Sequence, residues 1–435
     1  MKIMVVVGAR PNFMKAAPIL SALRDYDSEK TWAQSSDFGG SFGDSVTSVL
    51  VHTGQHYDDS MSGSFFADLN IPNPDIHLGV GSGSHASQTA EIMRRFEEVL
   101  LRERPDALVV VGDVNSTLAC ALVATKVSFD SCGERPLIAH VEAGLRSFDH
   151  SMPEEINRIL TDHVSDMLFV TETSGVENLK REGIAPEKTY FVGNTMIDSL
   201  MACREKADES QILKKLVLAR TSNRQADKVS VERYALLTLH RPANVDNQVS
   251  FINILEGLKE LASTHPVIFP AHPRTRKRVL EFGLSQWFDI ENCNYQRADP
   301  ESSIVSGKIR MIEPLGYLDF LCLMKNAALV VTDSGGIQEE TTCLEVPCVT
   351  VRENTERPVT VERGTNVLAG THAASIRKAI RRQLGTEQRT ELPEKWDGKA
   401  ALRIVENLVR AIREKCSCKD TGVRRSEAVG NASLR

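Results

Sequence analysis

Ala107-Leu-Val-Val-Val-Gly-Asp113 and Leu137-Ile-Ala-His-Val-Glu142 are two short apolar runs that each end in a carboxylate. An apolar run of this length that closes on polar residues is typical of a buried parallel strand. In open α/β sheets, ligands bind at the carboxyl ends of such strands. We therefore expect Asp113 and Glu142 to face one crevice, and the rest of the chain to hold a substrate against them.

A third carboxylate follows in Met152-Pro-Glu-Glu-Ile-Asn-Arg158. The proline suits the first turn of a helix, and the two acids suit its positive end. On that helix Glu154 and Arg158 share a face, because they are separated by about one turn. Taken singly, each of the three acids is more simply explained as a helix cap or a surface charge. Three carboxylates that converge on one sheet edge favour acid/base chemistry instead.

Length and composition limit the possible classes of protein. A chain of 435 residues exceeds what one hydrophobic core usually serves, so we expect two domains. The formal net charge of −6 gives no electrostatic reason to expect nucleic acid or an anionic membrane as a partner. The apolar start of the chain suits a buried strand better than a signal peptide. Nine scattered cysteines fit the reduced thiols of a cytoplasmic protein, and a metal site is not expected.

Polar residues also follow two other predicted strands in the amino-terminal half. Arg10 and Lys15 flank a predicted helix start after the strand over residues 3–7. Backbone N–H groups and the helix dipole favour an anion at that position, although two surface cations are the alternative explanation. Gln55 and His56 follow the next predicted strand.

The carboxy-terminal half repeats this pattern at three strand ends, which are His240-Arg241, His272-Pro-Arg274 and Asp333-Ser-Gly-Gly-Ile-Gln-Glu-Glu340. In the last of these, Ser334-Gly-Gly336 supplies a hydroxyl and two glycines at a predicted helix start. Such a start can bind phosphate, because glycine lets the backbone approach the anion and the helix dipole attracts it. The Gly-Lys-Ser/Thr signature of a P-loop is absent from this stretch.

The alternation of strands and helices predicts an α/β protein with two Rossmann-like domains that face a cleft. We place the amino-terminal domain, with the catalytic carboxylates, at residues 1–200 and the carboxy-terminal nucleotide-binding domain at residues 201–400. A C-terminal helix is predicted over residues 401–416, and a disordered tail over residues 417–435. The segment 28–47 is rich in Ser, Gly and Asp and is predicted to be a loop insertion.

Together these motifs resemble those of the non-hydrolysing UDP-N-acetylglucosamine 2-epimerases. They recur in family order from residue 3 to about residue 370, and jointly they are highly specific. The motifs are Gly8-Ala-Arg-Pro11 with Lys15, Thr53-Gly-Gln-His56, Gly112-Asp113, His140-Val-Glu-Ala-Gly-Leu-Arg146, Pro153-Glu-Glu-Ile-Asn-Arg158, Gly193-Asn-Thr195, His240-Arg241 and Asp333-Ser-Gly-Gly-Ile-Gln-Glu-Glu340. The chain departs from the family pattern at Asn12, where relatives often have Glu.

The resemblance implies the fold of GT-B glycosyltransferases and a UDP-sugar substrate in the interdomain cleft. It implies reversible inversion of carbon 2 of UDP-N-acetylglucosamine to give UDP-N-acetylmannosamine for surface polysaccharides. The implied route is loss of UDP to give a 2-acetamidoglucal, followed by re-addition of UDP. It also implies a homodimer that uses no cofactor.

The resemblance assigns roles to residues as follows. The catalytic residues are Asp113, Glu142, Glu154 and His240. The substrate-binding residues are Arg10, Lys15, Arg158, His272, Phe320, Ser334, Gly335, Gly336 and Glu340, with Glu340 at the ribose and Phe320 near the uracil. Gln55 and His56 match a pair involved in activation by substrate in bacterial relatives.

Other functions remain open on the sequence alone. A GT-B glycosyltransferase or a hydrolysing epimerase would share the nucleotide site but form a different product. A sugar-nucleotide sensor would bind without turnover, but such a protein has no need of three carboxylates. A nicotinamide-dependent epimerase is disfavoured, because no dinucleotide fingerprint follows a predicted strand.

Overall fold

The computed structural model describes residues 1–27, 45–54, 69, 71–221, 229–290, 307–385 and 391–420. Within these ranges the chain forms two seven-stranded parallel sheets, each covered by helices, and one small antiparallel ribbon. The predicted α/β architecture with two Rossmann-like layers is therefore confirmed. Most of the predicted insertion, over residues 28–44, lies outside the described residues.

The first sheet has the strand order β3-β2-β1-β4-β5-β6-β7, so the order reverses between β1 and β4. Its strands are β1 (Lys2–Val7), β2 (Thr47–His52), β3 (Ile76–His77), β4 (Ala107–Val111), β5 (Leu137–Ala143), β6 (Met167–Val170) and β7 (Thr189–Phe191). Its helices are α1 (Arg10–Asp27), α2 (His85–Glu103), α3 (Asn115–Lys126), α4 (Pro153–Val164), α5 (Thr173–Arg181) and α6 (Thr195–Asp208). A reversal of this kind opens a crevice at the carboxyl ends of the strands.

The second sheet has the order β12-β13-β11-β10-β14-β15-β16 and reverses between β10 and β14. Its strands are β10 (Ala235–Thr238), β11 (Val267–Pro270), β12 (Phe288–Asp289), β13 (Ile309–Ile312), β14 (Leu329–Thr332), β15 (Cys348–Thr350) and β16 (Asn366–Leu368), and the antiparallel ribbon is β8 (Ala219–Thr221) with β9 (Val229–Val231). The helices of this part are α7 (Ile212–Lys215), α8 (Pro242–Val245), α9 (Gln248–Thr264), α10 (Pro273–Glu281), α11 (Tyr317–Asn326), α12 (Gly335–Cys343), α13 (Val359–Glu362), α14 (Ala373–Gly385) and α15 (Ala400–Asp420).

The strands follow from the apolar runs of the sequence. All five side chains of β4 are buried, as expected of a parallel strand with helices on both faces. Side chains cap the starts of three helices. The side chain of Ser84 accepts a backbone N–H of α2, that of Asn194 accepts one of α6, and that of Asn247 accepts one of α9. No helix among the described residues has both the length and the apolar character that a membrane crossing requires.

Helix α6 joins the two halves of the molecule. It packs against α1 and α15 on one side and against α11 and α12 on the other. One apolar core accordingly extends from the first sheet past α6 to the second sheet. The predicted division after residue 200 falls inside this helix, and the division of the chain into domains stays a prediction. Helix α15 continues past the predicted end at residue 416, and residues 421–435 lie outside the described residues.

The segment 391–399 returns the chain from the second sheet to the first half. Within it, Trp396 is only 1% exposed, and its indole Nε1 donates to the Thr171 carbonyl at 3.0 Å. Asp198 of α6 then accepts the backbone N–H groups of Ala400 and Ala401 at 3.2 and 2.7 Å. These contacts fix the start of α15 to the amino-terminal half.

Two buried carboxylates, Glu172 of the amino-terminal half and Glu339 of the carboxy-terminal half, interact electrostatically. Burial raises the pKa of Glu172, which precedes α5, to about 7, and the nearby charge of Glu339 in α12 contributes to the increase. Burial also raises the pKa of Glu339, although the cation of Arg357 opposes that increase. Glu172 therefore holds a proton at a pH where the unfolded chain has released it.

We expect Trp396→Ala to lower the free energy of unfolding by about 3–5 kcal/mol, because it removes a large side chain from a closed site together with one hydrogen bond. Equilibrium denaturation in urea measures this change. Leu392→Ala in the same segment is the matched control, since Leu392 is 47% exposed and should change the value by less than about 0.5 kcal/mol. Equal effects of the two substitutions would show that the segment is not docked as described.

We expect Glu172→Gln to change the pH dependence of stability. Between about pH 4.5 and pH 7 the folded wild type binds a proton that the unfolded chain does not. Its free energy of unfolding should therefore fall across this window, by about 3 kcal/mol in total, relative to the variant. Urea titrations on both sides of the window test this. Glu177→Gln on the exposed face of α5 is the control and should run parallel to the wild type.

Candidate active site

A cavity of about 970 Å³ opens where the carboxyl ends of the two sheets face each other. Its lining draws on both halves of the molecule. The predicted site residues that line it are Lys15, Asp113, Glu154, Arg158, His240, His272, Phe320, Ser334, Gly335, Gly336 and Glu340. Arg10 begins α1 at this edge of the first sheet, but its side chain is outside the description, and Gln55 and His56 lie outside the described residues.

Asp113 lies immediately after β4 and pairs with the guanidinium of Arg158. Arg158 is itself held by Glu155, whose Oε2 accepts from Nε at 3.0 Å and from Nη2 at 2.7 Å. Glu155 also accepts the backbone N–H groups of Ser147 and Phe148, so the carboxylate is fixed from several directions. The partners of Arg158 in the structure are therefore Asp113 and Glu155.

The charge state of Asp113 follows from these neighbours. Burial raises its pKa, but the cations of Arg158, Lys15 and Arg357 together hold the pKa below the ordinary value of an aspartate. Asp113 is therefore ionised at neutral pH and can accept a proton.

Glu142 lies below the cavity rather than in its lining. Of the three carboxylates predicted to converge, Asp113 and Glu154 line the cavity, and Glu142 lies in its buried floor. It belongs to β5 and has a φ of 76°, at the point where the register with β6 shifts between Val141 and Ala143. A left-handed backbone costs a non-glycine residue roughly 1–3 kcal/mol, and it persists only where the surroundings fix it. Here Lys15 and Arg357 bind the two carboxylate oxygens, the latter at 2.8 Å.

Glu154 is the carboxylate that faces the other half. It lies in the first turn of α4, is partly exposed and lines the cavity. Across the cleft, Arg241 is close enough to feel its charge. Asp113 and Glu154 thus approach a bound substrate from two different elements, while Glu142 lies beneath them.

His240 follows β10, and Asp333 holds its imidazole ring. Oδ1 of Asp333 lies 2.9 Å from Nδ1 of His240, and the same carboxylate accepts the backbone N–H groups of His240 and Arg241 and a donor from Asn244. Although burial raises the pKa of Asp333, contact with His240 and these donors lowers it below the usual range. Nδ1 of the ring is therefore directed to Asp333, and Nε2 is the ring nitrogen left to face the cleft.

The helix start predicted to bind phosphate is formed by Ser334, Gly335 and Gly336 at the first turn of α12. The side chain of Ser334 does not cap the helix, so the first backbone N–H groups can bind an anion. A β-carbon at Gly335 would approach Oε1 of Glu356 to 2.7 Å. Glycine is therefore required here to admit Glu356 and its neighbour Arg357.

At the far end of the cavity, Glu340 is buried and accepts a hydrogen bond from the hydroxyl of Tyr317 at 2.9 Å. Phe320 lines the same end from the next turn of α11. A fixed carboxylate beside an aromatic ring can bind a ribose and a base. His272 lies at the rim, where its ring nitrogen accepts the N–H of Arg274 and starts α10.

Asn12, the departure from the family pattern, closes the turn between β1 and α1. Its side-chain oxygen accepts the N–H groups of Gly8 and Ala9, both at 3.1 Å, and its nitrogen donates to the carbonyl of Val111 at 2.8 Å. An uncharged amide thus satisfies donors and an acceptor that a carboxylate could not satisfy together.

Sequence reasoning missed Arg357, Asp333 as the partner of His240, and Tyr317. Arg357 could have been found, because Arg352-Glu-Asn-Thr-Glu-Arg357 is a polar stretch directly after β15, like the other strand ends. The roles of Asp333 and Tyr317 depend on contacts between separate elements, which no local pattern indicates.

The chain resembles known proteins over most of its length. The family model described as UDP-N-acetylglucosamine 2-epimerase matches residues 43–409. The UDP-N-acetylglucosamine 2-epimerase of Methanocaldococcus jannaschii is 42% identical over 407 residues, which cover 93% of this chain and 98% of the relative. The UDP-2,3-diacetamido-2,3-dideoxy-D-glucuronate 2-epimerase of Pseudomonas aeruginosa is 36% identical over 413 residues, covering 94% of this chain and 100% of the relative.

Solved structures also match this chain over most of its length. The crystal structure of the Methanocaldococcus jannaschii UDP-GlcNAc 2-epimerase in complex with UDP-GlcNAc and UDP has a TM-score of 0.76 at 40% identity, and the match covers 94% of this chain and 100% of that one. The Neisseria meningitidis UDP-GlcNAc 2-epimerase bound to UDP-GlcNAc has a TM-score of 0.72 at 29% identity, with the same coverage of both chains. These matches confirm the resemblance inferred from the motifs: the chain belongs to the UDP-N-acetylglucosamine 2-epimerase family.

Proposed function

We propose that the protein interconverts UDP-N-acetylglucosamine and UDP-N-acetylmannosamine by elimination and re-addition of UDP. The observation that carries this proposal is the cavity between the two sheets, in which carboxylates of one half face a helix start of the other that can bind an anion. Family membership and the two relatives bound to UDP-GlcNAc support it. As the resemblance implies, the proposal includes a homodimer that supplies surface polysaccharide synthesis, and the scattered cysteines favour the cytoplasm as its location.

In the proposed complex the diphosphate binds the hydroxyl of Ser334 and the backbone N–H groups of Gly335 and Gly336 at the start of α12, because the N–H of Ser334 already donates to Oγ1 of Thr332 at 3.0 Å. Glu340 accepts hydrogen bonds from the ribose hydroxyls, and Phe320 packs near the uracil. The sugar then extends across the cleft toward Asp113 and Glu154 of the amino-terminal half. The remaining predicted substrate contacts are Arg10, Lys15, Arg158 and His272.

The elimination breaks the C2–H and C1–O bonds and forms a C1=C2 double bond. One carboxylate takes the carbon-2 proton, while the electron pair of the C1–O bond leaves with UDP. Re-addition then delivers a proton to the other face of carbon 2 and restores the C1–O bond. Because the proton leaves one face and returns on the other, more than one acid/base group is needed, and Asp113, Glu142 and Glu154 supply them.

Charge develops on the departing diphosphate, so preorganised donors there should supply much of the rate enhancement. The start of α12 provides backbone N–H groups. His240, with its ring fixed by Asp333, provides a proton or a hydrogen bond from Nε2. Both donors belong to the carboxy-terminal half, whereas the carboxylates belong to the amino-terminal half.

The charges of the cavity favour an uncharged sugar over the glucuronate named for the Pseudomonas aeruginosa relative. A substrate carboxylate would need an unpaired cation near the sugar. Within the described part of the lining, each lysine and arginine already pairs with a protein carboxylate; these residues are Lys15, Arg158, Arg241, Arg352 and Arg357. We therefore propose UDP-N-acetylglucosamine as the substrate.

We expect Gly336→Val to raise the Kd for UDP at least roughly tenfold, because a branched side chain would screen the N–H groups that bind the diphosphate. The fold should tolerate it, since a β-carbon at Gly336 meets only the terminal methyl of Met196 at 3.3 Å. Gly335→Val is a poorer probe, because it would displace Glu356 and Arg357. Calorimetry with UDP measures the change.

Gly385→Val is the matched control, because a β-carbon at Gly385 meets no atom within 4 Å. It should leave UDP affinity unchanged. Normal affinity in a folded Gly336→Val protein would place the diphosphate elsewhere, beside Arg10.

We expect product formed in heavy water to carry deuterium at carbon 2, because the returning proton comes from a group that exchanges with solvent.

Replacing Asp113, Glu142 or Glu154 by its amide should lower turnover by roughly 10²-fold or more, with UDP affinity near normal. Proton NMR follows both. Glu187→Gln, an exposed carboxylate, is the control. If the product kept its carbon-2 hydrogen, or if all three amide variants stayed fully active, the protein would instead be a transferase or a binding protein.

A further inference from the structure

We propose that His140 is a positioning residue that holds the backbone at Gly112 and, with it, the carboxylate of Asp113. The inference rests on the proposed function, because it assigns to His140 the placement of a group that takes part in proton transfer. The side chain of His140 is fully buried in β5 and does not line the cavity. It therefore acts on a bound substrate through another residue.

Strand β4 ends in a sharp change of direction at Gly112. The N–H of Gly112 still donates to the carbonyl of Val141 at 3.0 Å, as in a parallel ladder, but its φ of 67° lies in the left-handed region. The ladder does not continue past this residue, so its buried carbonyl needs another donor. Nε2 of His140 lies 2.8 Å from that carbonyl oxygen and supplies the hydrogen bond. The imidazole thus fixes the peptide group that joins Gly112 to Asp113.

Asp162 of α4 holds the other side of the imidazole ring. Its Oδ1 lies 2.6 Å from Nδ1 of His140, while its Oδ2 accepts the N–H of Gly144 at 3.0 Å and pairs with Arg146 at 2.7 Å. Burial raises the pKa of Asp162, but the contacts with His140 and Arg146 hold the pKa below the usual range of an aspartate. Because each ring nitrogen has its own fixed partner, the imidazole has one orientation.

Helix α4 also contacts the backbone of Asp113 directly. Nδ2 of Asn157 donates to the carbonyl of Asp113 at 2.9 Å. The carbonyls of two successive residues are therefore held, one by a side chain of β5 and one by a side chain of α4. Since α4 carries Glu154 in its first turn, these contacts set the position of Asp113 relative to the other carboxylate that lines the cavity.

The surroundings of Gly112 explain why the loss of the His140 contact would move Asp113. A buried carbonyl without a donor is unfavourable, and the peptide group can find a new donor only by turning. The space beside Gly112 is narrow, because a β-carbon there would lie 2.9 Å from Nζ of Lys15 and 3.3 Å from Oε2 of Glu142. A turn of this peptide group therefore displaces the residue that follows it.

The test compares His140→Asn with His140→Gln, with kcat and KM for UDP-N-acetylglucosamine measured by proton NMR. The amide nitrogen of glutamine can replace Nε2, whereas the shorter asparagine can replace only Nδ1. His140→Asn should lower kcat roughly 100-fold, since a small displacement of a reacting group has that effect, and His140→Gln should lower it less than about tenfold. Both should leave KM and the Kd for UDP within about threefold of the wild type.

A double-mutant cycle then connects His140 to Asp113. In the Asp113→Asn background, His140→Asn should cause no further loss of kcat, because the group that it positions is already disabled. His163→Gln is the matched control, since it removes an imidazole that is 45% exposed on α4, and it should leave kcat unchanged. Urea denaturation establishes that each variant is folded.

Three results would overturn the inference. Equal losses in the two His140 variants would mean that the contact with the Gly112 carbonyl does not matter. A rise in KM or in the Kd for UDP with normal kcat would mean that His140 shapes the binding site instead. Multiplying losses in the Asp113→Asn background would mean that His140 acts independently of Asp113. In each case the epimerase proposal would stand, whereas wild-type product that keeps its carbon-2 hydrogen would remove that proposal and this inference together.

If His140→Asn does not fold, the glutamine variant decides the question. A folded His140→Gln protein that loses kcat by more than about 100-fold would contradict the inference, because its amide should still reach the carbonyl of Gly112. A smaller loss that disappears in the Asp113→Asn background would support it.

Discussion

The ion pair between Glu142 and Arg357 is the contact on which the site depends, because it joins the two halves directly beneath the cavity. Both side chains are removed from water, and a buried charge is tolerated only where a partner compensates it. The amino-terminal half brings Glu142, which also pairs with Lys15, and the loop after β15 brings Arg357, which also pairs with Glu356. The contact between them ties the position of the Glu142 carboxylate to the loop after β15.

Around that ion pair, several functional side chains are each held in position by a contact with another residue. Glu155 holds Arg158 against Asp113, and Asp333 holds the ring of His240. Such supporting contacts matter because acid/base groups work only within hydrogen-bond reach of the reacting atom. The left-handed backbone at Glu142 belongs to the same pattern, since the surrounding ion pairs hold a conformation that an isolated strand would not adopt.

The connection between the halves is shared among separate elements. Helix α6 is packed into both, and the segment that contains Trp396 carries α15 back to the first half. A continuous apolar core limits how far the halves can move without exposing apolar surface. Burial raises the pKa of Glu172 to about 7, so the contact between the halves is sensitive to proton uptake near neutral pH.

The sequence by itself determined the α/β class, the parallel strands and the edge at which the chemistry lies. Apolar runs such as Ala107–Val111 mark buried strands, and parallel strands present the residues that follow them at one edge of a sheet. The tertiary structure alone decided which charges pair, that Glu142 lies in the floor and that Arg357 reaches it from the other half. Glu142 and Arg357 are far apart in sequence and close in space, and a buried ion pair of that kind leaves no local pattern, because its partners are selected by packing rather than by spacing along the chain.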